Sequence, residues 1–352
     1  MSSFQTSTST PAPAPPHPPG QQPRFPDAGS WPPAGYRSAG TRARVARWAH
    51  VLAALVSLAL VVIVVQVFDM LDRADRFQLT DLCIGNPVAV LHESTDGDYL
   101  FVECPLARGW IAAGDIAIAN RETIRNLTED ENFLMARPHR VPVYGDPAFR
   151  NFARYFYFSA TMPLISHDSK GYRVKMPYRK SDGSLGIDTG YLKPDADVHI
   201  GYLPYTKRNV LIQIFKLLNT PYGYHGKGNQ RDCAITMRVL FRCFGIKVGK
   251  NPTYILNSSD HQFRMNPNLS TEEKMVEAAK LEPVITTAGN SGHSVLFLGK
   301  ARNGKLYYVH QVGWGYKDDN GVQRIVGRLT VSCTEDSFYS ISAPNVFTTM
   351  KM

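Results

Sequence analysis

The spacing of apolar positions divides this chain into four stretches. Residues 1–47 show no helix or strand period. They are rich in Pro, Ser, Thr and Ala, notably from Pro11 to Gly20, and bury too little apolar surface to offset the cost of ordering, so a disordered proline-rich tail is expected. Trp48 to Phe68 then contains no Asp, Glu, Lys or Arg and is apolar on every helical face. As a helix it would cross a hydrocarbon core of about 30 Å. No small-x-small cleavage site follows before Asp69, which predicts an uncleaved transmembrane anchor over 48–68.

Beyond the anchor the apolar period shortens to two. Pro87–His92, Tyr99–Cys104 and Gly109–Ile118 predict strands, with a turn at Thr95–Asp98. A similar pattern returns at Met162–Ile165, Gly171–Met176 and Gly186–Leu192, with a turn at Ser181–Ser184. Two small β-barrels are expected, over 77–125 and 131–200. From Gly201 the period lengthens. Val210, Ile214, Leu217 and Leu218 form a helix face that Asn219-Thr-Pro ends. A second helix from Cys233 buries Met237, Leu240, Phe241 and Phe244, turns Arg238 and Arg242 outward and stops at Gly245. Gly292–Gly299 and Gly304–Val312 follow as a hairpin, so residues 201–352 read as an α+β domain.

Charge refines this picture. The chain of 352 residues has a net charge of +9. The tail holds five arginines against Asp27, leaving +5 for the remainder. Such a diffuse excess suits work near anionic polymers or membrane surfaces. There is no basic run interleaved with aromatics, so nucleic acid is not an expected partner. Arg37, Arg42, Arg44 and Arg47 precede the apolar span, whereas Asp69, Asp72 and Asp75 outnumber Arg73 and Arg76 after it. A single-pass protein is expected, with a cytoplasmic N-terminus and the large C-terminal part periplasmic or extracellular.

Five cysteines, Cys83, Cys104, Cys233, Cys243 and Cys333, leave one thiol over if the rest pair. Cys83 and Cys104 flank the first β-module. They are either a disulfide, contributing on the order of 3 kcal/mol, or two small buried residues in adjacent strands. Cys243 and Cys333 read as buried.

Cys233 follows Asp232 at a helix start, where free N–H groups and the helix dipole favour a thiolate. Read alone, it is a small buried residue on an amphipathic helix, and its neighbours change that reading. Pairing Gly299 with Gly304 across the loop Lys300–Asn303 sets His293 directly opposite His310, one placed as base toward the thiol and the other to orient it. A register slip of one residue would put them on opposite faces. No third or fourth ligand with local spacing accompanies them, so no zinc site is expected. Trp314 and Tyr316 could line a groove near His310.

These segments resemble the NlpC/P60 family of cysteine peptidases, whose pattern of Pro-Tyr-x-Trp-Gly-Gly, Asp-Cys-Ser, Gly-His and a further polar residue corresponds to Pro221–Gly226, Asp232–Ala234, Gly292-His293 and His310. The two β-modules resemble bacterial SH3-like (SH3b) domains, known companions of that family. The resemblance implies a papain-like catalytic domain over 201–352. It makes Cys233 the nucleophile, His293 the general base and His310 the orienting residue. Tyr222 would assist the oxyanion, and Asp232 would hold a free substrate amine. The implied activity is hydrolysis of the γ-D-glutamyl–diamino acid bond in peptidoglycan stem peptides or muropeptides, without metal or organic cofactor. Ala234, Tyr224 and His225 depart from the family's Ser, Trp and Gly, which keeps two alternatives open: an inactive wall-binding module, and a thiol acyltransferase or amidase.

Overall fold

The computed structural model describes residues 78–333 and 346–350, apart from Pro267, Ser291, Trp314, Asp318 and Asp319. The expected tail (1–47) and apolar span (48–68) lie outside the described residues. Among the described residues, no helix is long and apolar enough to cross a membrane.

The first β-module is an antiparallel meander of β1 (Ala89–Glu93), β2 (Tyr99–Glu103) and β3 (Arg108–Ala112). Its turn closes when Gly97 N–H donates to the Ser94 carbonyl at 2.9 Å. Helix α1 (Arg121–Thr128) starts at Asn120, whose side chain accepts from Thr123 N–H at 2.8 Å, a standard N-cap. Seven strands then form one antiparallel sheet: β4 (Phe133–Ala136), β5 (Arg140–Tyr144), β6 (Phe152–Tyr157), β7 (Thr161–Asp168), β8 (Gly171–Arg179), β9 (Leu185–Leu192) and β10 (Val198–Ile200). Their spatial order is β10-β4-β7-β8-β9-β5-β6. The three runs expected from alternation are β7, β8 and β9 at the centre. The flanking strands carry at most three buried positions each, such as Val141 and Val143 in β5, which is too few for the period to show.

Helix α2 (Lys207–Phe215) is capped by Thr206 and ends ahead of Asn219, whose backbone is left-handed at φ 63°. Helix α3 (Cys233–Arg242) packs on β13 (His293–Lys300) and β14 (Leu306–Val312). These belong to a six-stranded antiparallel sheet ordered β11-β18-β12-β13-β14-β17, with β11 (Gln262–Arg264), β12 (Thr286–Asn290), β17 (Arg328–Cys333) and β18 (Val346–Thr349). A two-stranded ribbon, β15 (Gly315–Lys317) and β16 (Gln323–Ile325), leads into β17. The short α4 (Pro252–Leu256) follows α3, and α5 (Thr271–Ala279) precedes β12.

Met237, Leu240 and Phe241 of α3 are fully buried against Val210, Ile214, Leu296, Val309 and Leu329. Each such side chain contributes about 1.5–3 kcal/mol through its burial. Met135 and Phe158, from the seven-stranded unit, lie in this same core. A separate cluster of Ala278, Val295, Phe297, Tyr308 and Phe347 fills the space around α5.

Two expectations are corrected. Among the described residues no cysteine is joined in a disulfide. The Cys83 thiol lies 3.8 Å from Asn229 Oδ1 and the Cys104 thiol 3.4 Å from the Ala107 carbonyl, so each has its own polar neighbour in place of a disulfide partner. Arg238 and Arg242 do leave the core face of α3, but they face a cavity walled by the two β-modules. Both are half-buried there rather than fully exposed.

Leu240→Ala should lower the free energy of unfolding by about 2–5 kcal/mol, because rigid neighbours leave a cavity where the side chain was. Urea titration followed by tryptophan fluorescence measures the loss.

Candidate active site

Helix α3 begins at Cys233 because Asp232 caps it. One carboxylate oxygen accepts from Ile235 N–H at 2.8 Å and the other from His225 N–H at 3.0 Å. Asp232 and Cys233 are each only 6% exposed, so water shields their interaction little. Burial raises the Asp232 carboxyl above its usual range against those hydrogen bonds. Burial, then the charge of Asp232, pushes the Cys233 thiol up to about 12, against hydrogen bonds from Ser294 and Ala234 that favour ionisation. The helix start alone predicts a lowered thiol pKa. The structure reverses it, because dehydration and an adjoining carboxylate outweigh the dipole.

Ser294, whose backbone meets the thiol, is next to His293 at the start of β13. The hairpin register differs from the expected one. Leu296 pairs with Val309 and Phe297 with Tyr308, with an irregularity before Gly299 pairs with Tyr307. Continuing that pairing puts Val295, two residues along from His293, opposite His310. An offset of two keeps the face, so the histidines meet diagonally. Their rings bond at 2.7 Å, His293 Nε2 to His310 Nδ1. His310 Nε2 then meets Ser332 Oγ at 2.9 Å. On the next strand His310 pairs with Thr330, so Ser332 is again two residues along. The three buried side chains form one line across β13, β14 and β17.

Burial holds His293 down to about 4, and burial with the neighbouring His293 holds His310 well below the usual imidazole value. Both rings are therefore neutral at pH 7. A consistent set of protons has each ring donating from Nε2, His293 to His310 and His310 to the Ser332 hydroxyl, which assigns Nδ1 as the basic atom of His293.

Tyr222 is fixed by its N–H to the Gly327 carbonyl at 2.9 Å. Its ring lies against Gly313, where a Cβ would approach ring carbons to 2.7 Å. Burial, then the charges of Asp232 and Cys233, raises its phenol pKa, so it remains a proton donor at all ordinary pH values. The structure thus groups Tyr222, Asp232 and Cys233 at the helix start and joins His293 to His310. Trp314 lies outside the described residues.

Sequence reading missed Ser332, which nothing in its local pattern marks. It also missed Asp81. That carboxylate accepts from Asn229 N–H at 2.9 Å, and Asp81 packs so closely on Gly226 that a Cβ there would come within 2.9 Å of Asp81 Cβ. Gly226 is left-handed at φ 92°, as are His225 at 51° and Asn229 at 58°. His225, standing where the resemblance expects glycine, keeps the glycine conformation at a cost of about 1 kcal/mol.

Residues 73–112 match the family model of the SH3 domain (SH3b1 type). In fold, the chain is similar to an NlpC/P60 endopeptidase from Photobacterium damselae subsp. piscicida, with a TM-score of 0.64 and 19% identity over 77% of this chain. The chain spans only 65% of that protein's length. It is also similar to an NlpC/P60 family protein from Bacillus cereus ATCC 10987, with a TM-score of 0.53 and 14% identity over 76% of this chain and 81% of that one. No curated protein matches in sequence. The fold is that of NlpC/P60 proteins, carrying an SH3b domain.

Two outcomes are expected. Below about pH 6.5 an unfolded histidine binds a proton, whereas folded His293 does so only near 4. His310 and His139 are depressed in the same direction. Stability should therefore fall as pH drops from 6.5 toward 4, with Asp81 and Asp232, raised by burial, offsetting part of it at the acid end. Urea midpoints at intervals across that window test the slope. Ser332→Ala should cost about 1–3 kcal/mol by removing a buried hydrogen bond, and Ser332→Thr, which keeps the hydroxyl, should recover most of it in the same titration.

Proposed function

We propose that this chain is a cysteine endopeptidase acting on the stem peptides of peptidoglycan. In this reading Trp48–Phe68 anchors it and the enzyme faces outward from the membrane. The supporting observation is the arrangement of Cys233 at a capped helix start beside β13, whose His293 is bonded to His310 and, through it, to Ser332. The NlpC/P60 fold directs the reading to wall peptides, and the motif resemblance directs it to the bond between γ-D-glutamate and the diamino acid.

In this mechanism His293 Nδ1 takes the proton from the Cys233 thiol as sulfur attacks the carbonyl carbon. The positive charge that develops on His293 is met by His310 Nδ1, which accepts from Nε2–H, while Ser332 holds the far side of His310. The Tyr222 phenol donates to the developing oxyanion. The proton on His293 passes to the departing amine, leaving an acyl-enzyme, and water deprotonated by the same atom releases the acid.

Asp232 gives substrate a part in activation. Its charge disfavours the thiolate in the empty site. A substrate ammonium bound there forms a charge-assisted pair and cancels that effect, so a free N-terminus both orients the peptide and eases ionisation of the thiol.

Full-length protein in detergent, incubated with defined stem peptides, should release product after γ-D-glutamate by mass spectrometry. Cys233→Ala should abolish release, and peptides with acetylated N-termini should be cut at least about tenfold more slowly if the amine–carboxylate pair contributes 1.4 kcal/mol or more. Equal product from wild type and Cys233→Ala would refute the peptidase. Binding of wall peptides without any product would favour the wall-binding module.

A further inference from the structure

The outer stripe of α3 carries a feature the peptidase chemistry does not use. Arg238 and Arg242, one turn apart, join Arg231 in lining a cavity of about 150 Å³. Its other walls include Thr80–Cys83, the Cys104–Leu106 turn, Tyr157–Phe158, residues of the loop that holds His225 and Asn229, and the apolar Ile235 and Val239 of α3. Tyr222, Cys233 and His293 are not among its walls, so it is separate from the candidate active site.

Three guanidinium groups there face a single acid. Asp81 is the only carboxylate on the wall, and it already accepts from Asn229 N–H. None of the three arginines forms a salt bridge with a described carboxylate. Arg231, only 4% exposed, uses Nη2 on neutral His139 at 3.0 Å and leaves its buried Nε without a partner. Arg242 donates to Ser159 Oγ at 3.0 Å and the Phe158 carbonyl at 3.5 Å, both neutral. Among the described residues the Arg238 guanidinium makes no hydrogen bond. Dehydration lowers all three, with Arg242 adding repulsion at Arg238. Yet guanidinium stays protonated in proteins, so the charges persist. Unpaired buried charge is costly, and natural interiors compensate it with a counter-charge.

We propose that this cavity binds a free tetrahedral oxyanion of the size of phosphate or sulfate, held by Arg231, Arg238 and Arg242. The planar N–H forks of arginine suit such an anion, which can accept from several at once. The volume is ample for a small ion. Bound there, the anion ties the first β-module, the seven-stranded unit and the back of α3 to one another, behind the helix whose first residue is Cys233.

Thermal unfolding of the full chain in detergent tests this with inorganic phosphate as the probe, against sodium chloride at matched ionic strength. Phosphate should raise Tm by at least about 3 °C at saturation, as a ligand that binds only the folded state does. Arg238→Gln loses no hydrogen bond to protein and should fold. It should lose the phosphate-specific shift and, in equilibrium dialysis with labelled phosphate, bind at least tenfold more weakly than wild type. An Arg238→Gln shift equal to that of wild type, or equal effects of chloride and phosphate on wild type, would overturn the site. None of these readouts depends on peptidase activity.

Discussion

One buried carboxylate, that of Asp232, organises the candidate site. Through its two oxygens it closes the first turn of α3 and ties down the loop at His225, two tasks that require it to be dehydrated and held close to the next residue's sulfur. Capping of this kind stabilises a helix by about 1 kcal/mol. The same proximity acts against ionisation of the Cys233 thiol, because a negative charge beside a buried thiol opposes a second one. A helix start is normally a place where thiols ionise easily. Here the group that makes the helix start also cancels that advantage, and the resting site is a neutral thiol facing neutral imidazoles.

The line of His293, His310 and Ser332 solves a different difficulty. Two imidazoles and a hydroxyl are buried in a sheet with apolar neighbours such as Phe297 and Tyr308. Antiparallel register supplies their partners: a step of two residues from each strand to the next keeps all three on one face and brings them to hydrogen-bonding distance. In a medium of low polarisability such bonds are strong when made and expensive when lost, so the line fixes both ring orientation and the choice of tautomer.

Those parts of the molecule governed by local period were legible in the sequence. The core stripe of α3 needs only the spacing of Met237, Leu240 and Phe241, and the central strands β7 to β9 need only alternation. The pairing of His293 with His310 was legible to within two residues, since alternation fixes the face whereas the exact partner depends on the irregularity near Gly299. Ser332 was not legible because its partner is brought to it only by strand pairing, and a lone serine in a strand has no local mark. Nor were the thiol's protonation and the fate of Arg238 and Arg242. Each depends on what covers the helix, and periodicity distinguishes the core face from the other faces without saying whether those face water.

That covering makes the β-modules part of the site's construction. Asp81, ahead of the first strand, holds Asn229 and packs on Gly226, in the loop whose His225 N–H is bonded to Asp232. The loop contains four left-handed residues, His225, Gly226, Gly228 and Asn229, two of them non-glycine. A segment with so much backbone cost keeps one conformation only when its surroundings determine it. Met135 and Phe158 meanwhile complete the core on which α3 rests. Helix α3 is therefore positioned from its far side by residues more than 70 positions earlier in the chain than Cys233, and the geometry at Cys233 is a property of the assembled unit rather than of the α+β domain alone.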